Sequence, residues 1–98
     1  MKKINKIEFL LMATLDLKEI INYYKRNNSF YANRIVNKIN NTKKLLMIFP
    51  LIGKKRYFNN VIYHMFKVDD FIMIYMIEDN KILIVRILHD KREINSII

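Results

Sequence analysis

Cysteine is absent from this 98-residue chain, and glycine and proline occur once each. Without cysteine there is neither a disulfide framework nor a thiolate metal site, and a cytoplasmic location is the expectation. A single glycine excludes a phosphate-cradling Gly-rich loop, and no long flexible linker is expected. Acidic residues are scarce: nine Asp/Glu face eighteen Lys/Arg, for a formal charge of +9. Long apolar runs are also missing. The longest, residues 71–77, falls far short of the roughly 20 residues a helical span needs, so no membrane partner is expected. The opening "MKKINKIEFLLMATLDL" imitates a signal peptide, but Glu8 interrupts its apolar part, and it reads as the first strand of the mature chain.

What is present is a core. Apolar residues make up 52%, including six Phe and six Tyr, which excludes a disordered chain and suits one domain over residues 1–98. The charge is uneven: residues 1–49 hold ten Lys/Arg against three Asp/Glu, the remainder eight against six. Such a surface attracts polyanions or an acidic protein, although a Lys- and Asn-rich codon bias produces the same balance.

Apolar spacing predicts a strand over 4–11, where Ile7 and Phe9 share one face and Glu8 the other. Residues 13–27 read as a helix with Leu17, Ile20, Ile21 and Tyr24 in one stripe. A second helix runs from about 30 to 48 with Ala32, Ile35, Val36, Ile39 and Leu46 inward, Ser29 as its N-cap and Pro50 past its end. Residues 51–60 read as a loop. Three strands follow, 61–68, 71–78 and 82–89, separated by the turn dipeptides Asp69-Asp70 and Asp79-Asn80. The order β-α-α-β-β-β is an α+β fold, a helical hairpin packed on one face of an antiparallel sheet.

The last strand raises a question of its own. It is aliphatic except for Arg86, yet it ends in His89, Asp90, Lys91, Arg92 and Glu93. His89 has the chemistry of a general acid or base, and Arg92 that of an anion stabiliser. Lys54, Lys55 and Arg56 join them if their loop opens on the same side. Lys67, Arg86 and Lys91 complete the candidate phosphate- or RNA-binding set. A His, Arg and Lys cluster suffices for RNA cleavage without a cofactor or metal. Against that stands the plain reading of a solvated turn, with Arg86 snorkelling past the sheet and Tyr23-Tyr24 in the core. His64, His89 and Asp90 have no recognisable metal-ligand spacing.

Three stretches carry a family likeness. They are Ala13, Asp16, Leu17, Ile20, Tyr23 and Tyr24 on the first helix, "FPLIGKKR" after the second, and "YMIEDNKILIVRILHDKRE" at the end. Together they resemble the RelE/ParE superfamily of toxins from bacterial type II toxin–antitoxin systems, over about residues 5 to 94. The resemblance implies that fold, and a cognate antitoxin in a hetero-oligomer. Phe71, Met73 and Tyr75 are the expected antitoxin contacts, on a sheet face the helices leave open.

The superfamily divides between RelE-like members that cleave mRNA on the ribosome and ParE-like members that inhibit DNA gyrase. Against the RelE pattern, Arg92 falls on a catalytic arginine, and His89 resembles the histidine other nucleases carry there. Ile72 stands where a phosphate-contacting arginine is found, and Ile98 near a C-terminal tyrosine. Tyr63 and Met65 stand near the basic residues of the second strand, with His64 and Lys67 close by but unmatched. The resemblance therefore favours the gyrase-directed branch, with ribosome-dependent RNA cleavage as the alternative.

Overall fold

A single residue, Asn28, separates the two helices. In the computed structural model, which describes residues 3–91, the elements are β1 (Lys6–Phe9), α1 (Leu11–Asn27), α2 (Ser29–Ile48), β2 (Lys54–Phe58), β3 (Val61–Val68), β4 (Phe71–Glu78) and β5 (Lys81–His89). Asn28 is extended, and its side chain accepts a hydrogen bond from the Tyr31 amide at 3.1 Å. It thereby caps α2 in place of the expected Ser29, which becomes the first helical residue. Tyr24 and Tyr31 pack across this corner with ring centroids 4.5 Å apart.

The five strands lie in the order β1-β5-β4-β3-β2. Strands β2 to β5 form an antiparallel meander, while β1 joins β5 in parallel, from Lys6 opposite Lys81 to Phe9 opposite Ile84. The parallel edge follows from connectivity, because a strand that returns through other elements is free to run alongside the first. A second difference from the expected order is β2. Residues 54–58, expected within the 51–60 loop, pair with β3 from Lys54–Met65 to Phe58–Val61. Asn59 and Asn60 both take positive φ, 50° and 64°, as a tight two-residue hairpin turn requires.

The helical hairpin covers one face of the sheet. Met73, Tyr75, Ile82, Ile84 and Ile87 from the strands meet Ala13, Ile35, Ile39 and Leu46 from the helices. Strand alternation alone would not place both Ile84 and Ile87 on that face. A bulge achieves it: Tyr75 pairs with Ile84 and Ile74 with Arg86, so Val85 is the extra residue and the alternation shifts by one.

Tyr75 also fixes the turn between α2 and β2. Its fully buried hydroxyl donates to the Pro50 carbonyl at 2.8 Å and accepts from the Gly53 amide at 2.9 Å. A Cβ on residue 53 would lie 2.6 Å from that oxygen, which accounts for the chain's one glycine. His64, 4% exposed, stacks on the Tyr75 ring at 5.1 Å. Burial pushes its imidazole below its ordinary pKa; a backbone hydrogen bond with Gly53 opposes this and nearby Lys55 adds to it. His64 is therefore a packed neutral side chain.

Gly53→Ala is expected to cost about 1–3 kcal/mol in urea unfolding, because the new methyl group displaces the Tyr75 hydroxyl. His64 makes stability depend on pH. Its folded pKa is lowered, so below about pH 6.5 the unfolded chain binds the extra proton. The stability that neutral His64 contributes is thus complete above that pH and lost as pH falls beneath it. Melting temperatures between pH 7 and 5 should fall less steeply for His64→Gln; an unchanged slope would remove His64 as the cause.

Candidate functional site

The arginine in the aliphatic last strand has a structural partner. β1 stops opposite Ile84, and beyond that point α1 meets β5. There Asp16 accepts from the Ile87 amide at 3.0 Å and from Arg86 Nε and Nη2 at 2.8 and 2.9 Å. The carboxylate thus serves an amide that β1 does not reach, and it holds the guanidinium in a two-bonded fork. The two side chains are only 12% and 15% exposed, and the hydrogen bonds to Asp16 raise the Arg86 pKa further. Arg86, counted among the phosphate-binding candidates, is spent inside the fold and leaves that set.

The charged end of β5 is assembled around Asp90. The Asp90 amide donates to the Asp70 carbonyl at 2.9 Å, which fixes this corner against the β3–β4 turn. Lys67 Nζ lies 3.2 Å from one Asp90 oxygen and His89 Nδ1 lies 3.2 Å from the other. His89 Nδ1 also accepts from the Lys91 amide at 3.2 Å, so the neutral ring carries its proton on Nε2. Its edge packs on Phe71 with centroids 5.6 Å apart. The tertiary structure therefore joins Lys67 to His89 through Asp90, an arrangement with no signal in sequence spacing. Arg92 lies outside the described residues.

The residues 54–56 are not part of this cluster. Lys54 pairs with Met65, Met65 with Ile74 and Ile74 with Arg86, so Lys54 stands three strands away from β5. With about 4.8 Å between strands and about 3.3 Å per residue along them, the Lys54 and His89 backbones are roughly 17 Å apart. Alternation divides the triplet further. Lys55 pairs with His64 on the helix-covered side, and Lys54 and Arg56 point to the other.

Phe71, Met73 and Tyr75 are a correction to the expected antitoxin contacts. They are 5%, 0% and 0% exposed, because they form the face on which the helices lie. The run 71–77 is apolar on both faces, so its pattern does not indicate which face is covered. The side away from the helices carries Ile72, Ile74 and Met76 instead.

A cleft of about 780 Å³ opens between α1 and the end of β5, with Glu19, Tyr23, Tyr24, Arg26, Phe71 and His89 among its walls. Of the tyrosine pair read as core, Tyr24 turns inward against Phe71, while Tyr23 is 54% exposed. The i+3/i+4 stripe through Leu17, Ile20 and Tyr24 already excluded Tyr23, and this was the signal available in the sequence. The cleft offers aromatic surface, one imidazole and side chains of both charges, a binding surface for a mixed polar and apolar group. Among the described residues no group of three His, Asp or Glu is arranged to hold a metal, and no helix is long and apolar enough to cross a membrane.

Breaking the Asp16–Arg86 pair should be far costlier than breaking the surface pair at Asp90. Asp16→Ala leaves a nearly buried guanidinium unpaired and is expected to cost about 3–5 kcal/mol. Lys67→Ala, at a side chain 66% exposed, is expected to cost less than about 1 kcal/mol. Urea denaturation of the two variants checks the contrast, and similar losses would contradict it.

The fold has known counterparts. A chain of a structure described as the chromosomal ParDE TA system from P. aeruginosa matches with a TM-score of 0.73 and 19% identity, over 90% of this chain and 98% of that one. A chain described as the YoeB dimer from Staphylococcus aureus matches with a TM-score of 0.60 and 24% identity, again over 90% and 98%. At these identities the likeness concerns the fold. A search of curated protein sequences finds no significant match. The family model described as ParE toxin of type II toxin-antitoxin system, parDE, matches residues 7–94, nearly the whole chain. The two-helix, five-strand fold and that match lead to one assignment: the chain belongs to the ParE toxin family.

Proposed function

We propose that this chain arrests growth by binding DNA gyrase in the cytoplasm and that a cognate antitoxin neutralises it in a hetero-oligomer. The observation that carries the target is the fate of Arg86. Its guanidinium is held by Asp16 and largely buried, so the arginine within β5 is withheld from a phosphate. Ile72, an apolar residue, stands where the resembling nucleases carry a phosphate-contacting arginine. The match to the ParE family model supports the same branch. In this reading the protein inhibits by occupying a surface and performs no chemistry.

A specific observation favours a second reading, ribosome-dependent mRNA cleavage. His89 and Lys67 meet at one solvent-facing corner with Lys91 next in the chain. The imidazole of His89 has the chemistry of proton transfer, and Lys67 and Lys91 supply positive charge for a phosphate.

Two assays on one toxic preparation separate the readings. The gyrase reading expects loss of DNA supercoiling by purified gyrase, an intact message in a ribosome-coupled primer-extension assay, and unchanged growth arrest by His89→Ala. Cuts within codons that vanish in His89→Ala, with supercoiling unaffected, would establish the nuclease instead.

A further inference from the structure

The cleft between α1 and β5 owes its existence to the shortness of β1. That strand leaves β5 after Ile84, and beyond it α1 reaches β5 through Asp16. The space that β1 does not fill is the cleft of about 780 Å³. Clefts of this size hold small molecules.

The α1 wall carries a second stripe beside the one that enters the core. Glu19, Asn22, Tyr23 and Arg26 fall at i, i+3, i+4 and i+7, so they share one helix face, and all four are exposed. The Tyr23 ring is held in place by its neighbours. It meets Tyr24 edge to face at 5.0 Å, Tyr24 meets Phe71 in the same way at 6.3 Å, and Phe71 meets His89 at 5.6 Å. This row of rings joins α1 to the end of β5 and leaves Tyr23 as a preformed stacking surface at the cleft.

Charge limits what the cleft accepts. Of the charged side chains lining it, Asp16 is held by Arg86. That leaves one carboxylate, Glu19, and one cation, Arg26, with the imidazole of His89 on the other wall. Among the described residues Arg26 has no ion-pair partner. Such a balance suits a single anionic group and not a string of them, although the chain as a whole carries +9. Glu19 lies one turn before Tyr23 and Arg26 one turn after it. A planar ring on Tyr23 would therefore have a hydrogen-bond acceptor on one side and a guanidinium on the other. We propose that this cleft binds a mononucleotide, its base stacked on Tyr23, the polar edge of the base at Glu19 and Asn22, and its one phosphate at Arg26. A free nucleotide and the 5′-phosphorylated end of a nucleic acid share this chemistry. The proposal depends on neither the gyrase nor the nuclease reading.

The test is isothermal titration of the full chain with AMP and GMP, against adenosine, ribose 5-phosphate and ATP. The mononucleotides are expected to bind, and removing either the base or the phosphate should weaken binding about fivefold or more. ATP should bind no more tightly than AMP. Tyr23→Ala and Arg26→Ala should each weaken AMP binding by a similar factor without lowering the melting temperature. Tyr23→Phe, which keeps the ring, should bind as the parent does, and so should Tyr57→Ala at an exposed tyrosine on β2. The proposal is overturned if the mononucleotides fail to bind, if ribose 5-phosphate binds as well as AMP, or if affinity rises with phosphate number, the mark of general attraction to a basic surface. Equal binding by Tyr23→Ala would overturn it too, as would capture of phenyllactate in preference to AMP. A 5′-phosphorylated oligonucleotide distinguishes the two sources: binding tighter than AMP and lost in Tyr23→Ala assigns the cleft to a strand end, and weaker binding assigns it to the free nucleotide.

Discussion

One carboxylate, that of Asp16, closes the place where the sheet would otherwise be left open. β1 is four residues long and pairs with β5 only as far as Ile84. The edge beyond it would carry unpaired amides and, at Arg86, a poorly solvated charge. Asp16 answers both with its two oxygens and in doing so fixes α1 against β5. The bulge at Val85 belongs to the same arrangement, since it sends Ile84 and Ile87 into one core and leaves Arg86 in reach of α1. A buried ion pair adds modest stability compared with an apolar pair of the same shape, but it tolerates no single loss. Its three hydrogen bonds tie α1 to β5 at this point.

The second constraint is Tyr75. Its ring lies in the core, its hydroxyl bridges Pro50 and Gly53, and His64 stacks on its face. These contacts connect the centre of the sheet to the turn after α2. They explain why the one glycine of this chain falls within that turn. They also tie both ends of an apolar surface turn to the core.

Around this frame lie a charged corner and a cleft that share His89, and an apolar end of the helical hairpin. The Asp90 corner gathers His89 and Lys67. The α1–β5 cleft presents Tyr23 beside Arg26 and Glu19. The far end of the helical hairpin exposes apolar side chains next to lysines. A ParE-family protein that works by association needs surfaces for a target and for a neutralising partner, and these surfaces leave room for both.

The helices and the last three strands were legible because their periodicities are strong and their turns carry Asp and Asn. β2 was less so: Lys54, Lys55 and Arg56 look like loop residues, and only pairing with β3 and the Asn59-Asn60 turn make them a strand. The family likeness was legible too, in stretches from Asp16 to the end of β5. Local sequence by itself determined where the chain is helical, where it turns and that it is strongly basic, because propensity, capping and charge act over a few residues. The tertiary structure decided which face of β4 lies under the helices, and so buried Phe71, Met73 and Tyr75. It also decided that Arg86 belongs to Asp16 and not to a phosphate, and that residues 54–56 stand apart from His89. Those outcomes depend on register, on a one-residue bulge and on contacts some 70 residues apart in sequence, and such long-range pairings are absent from any local pattern.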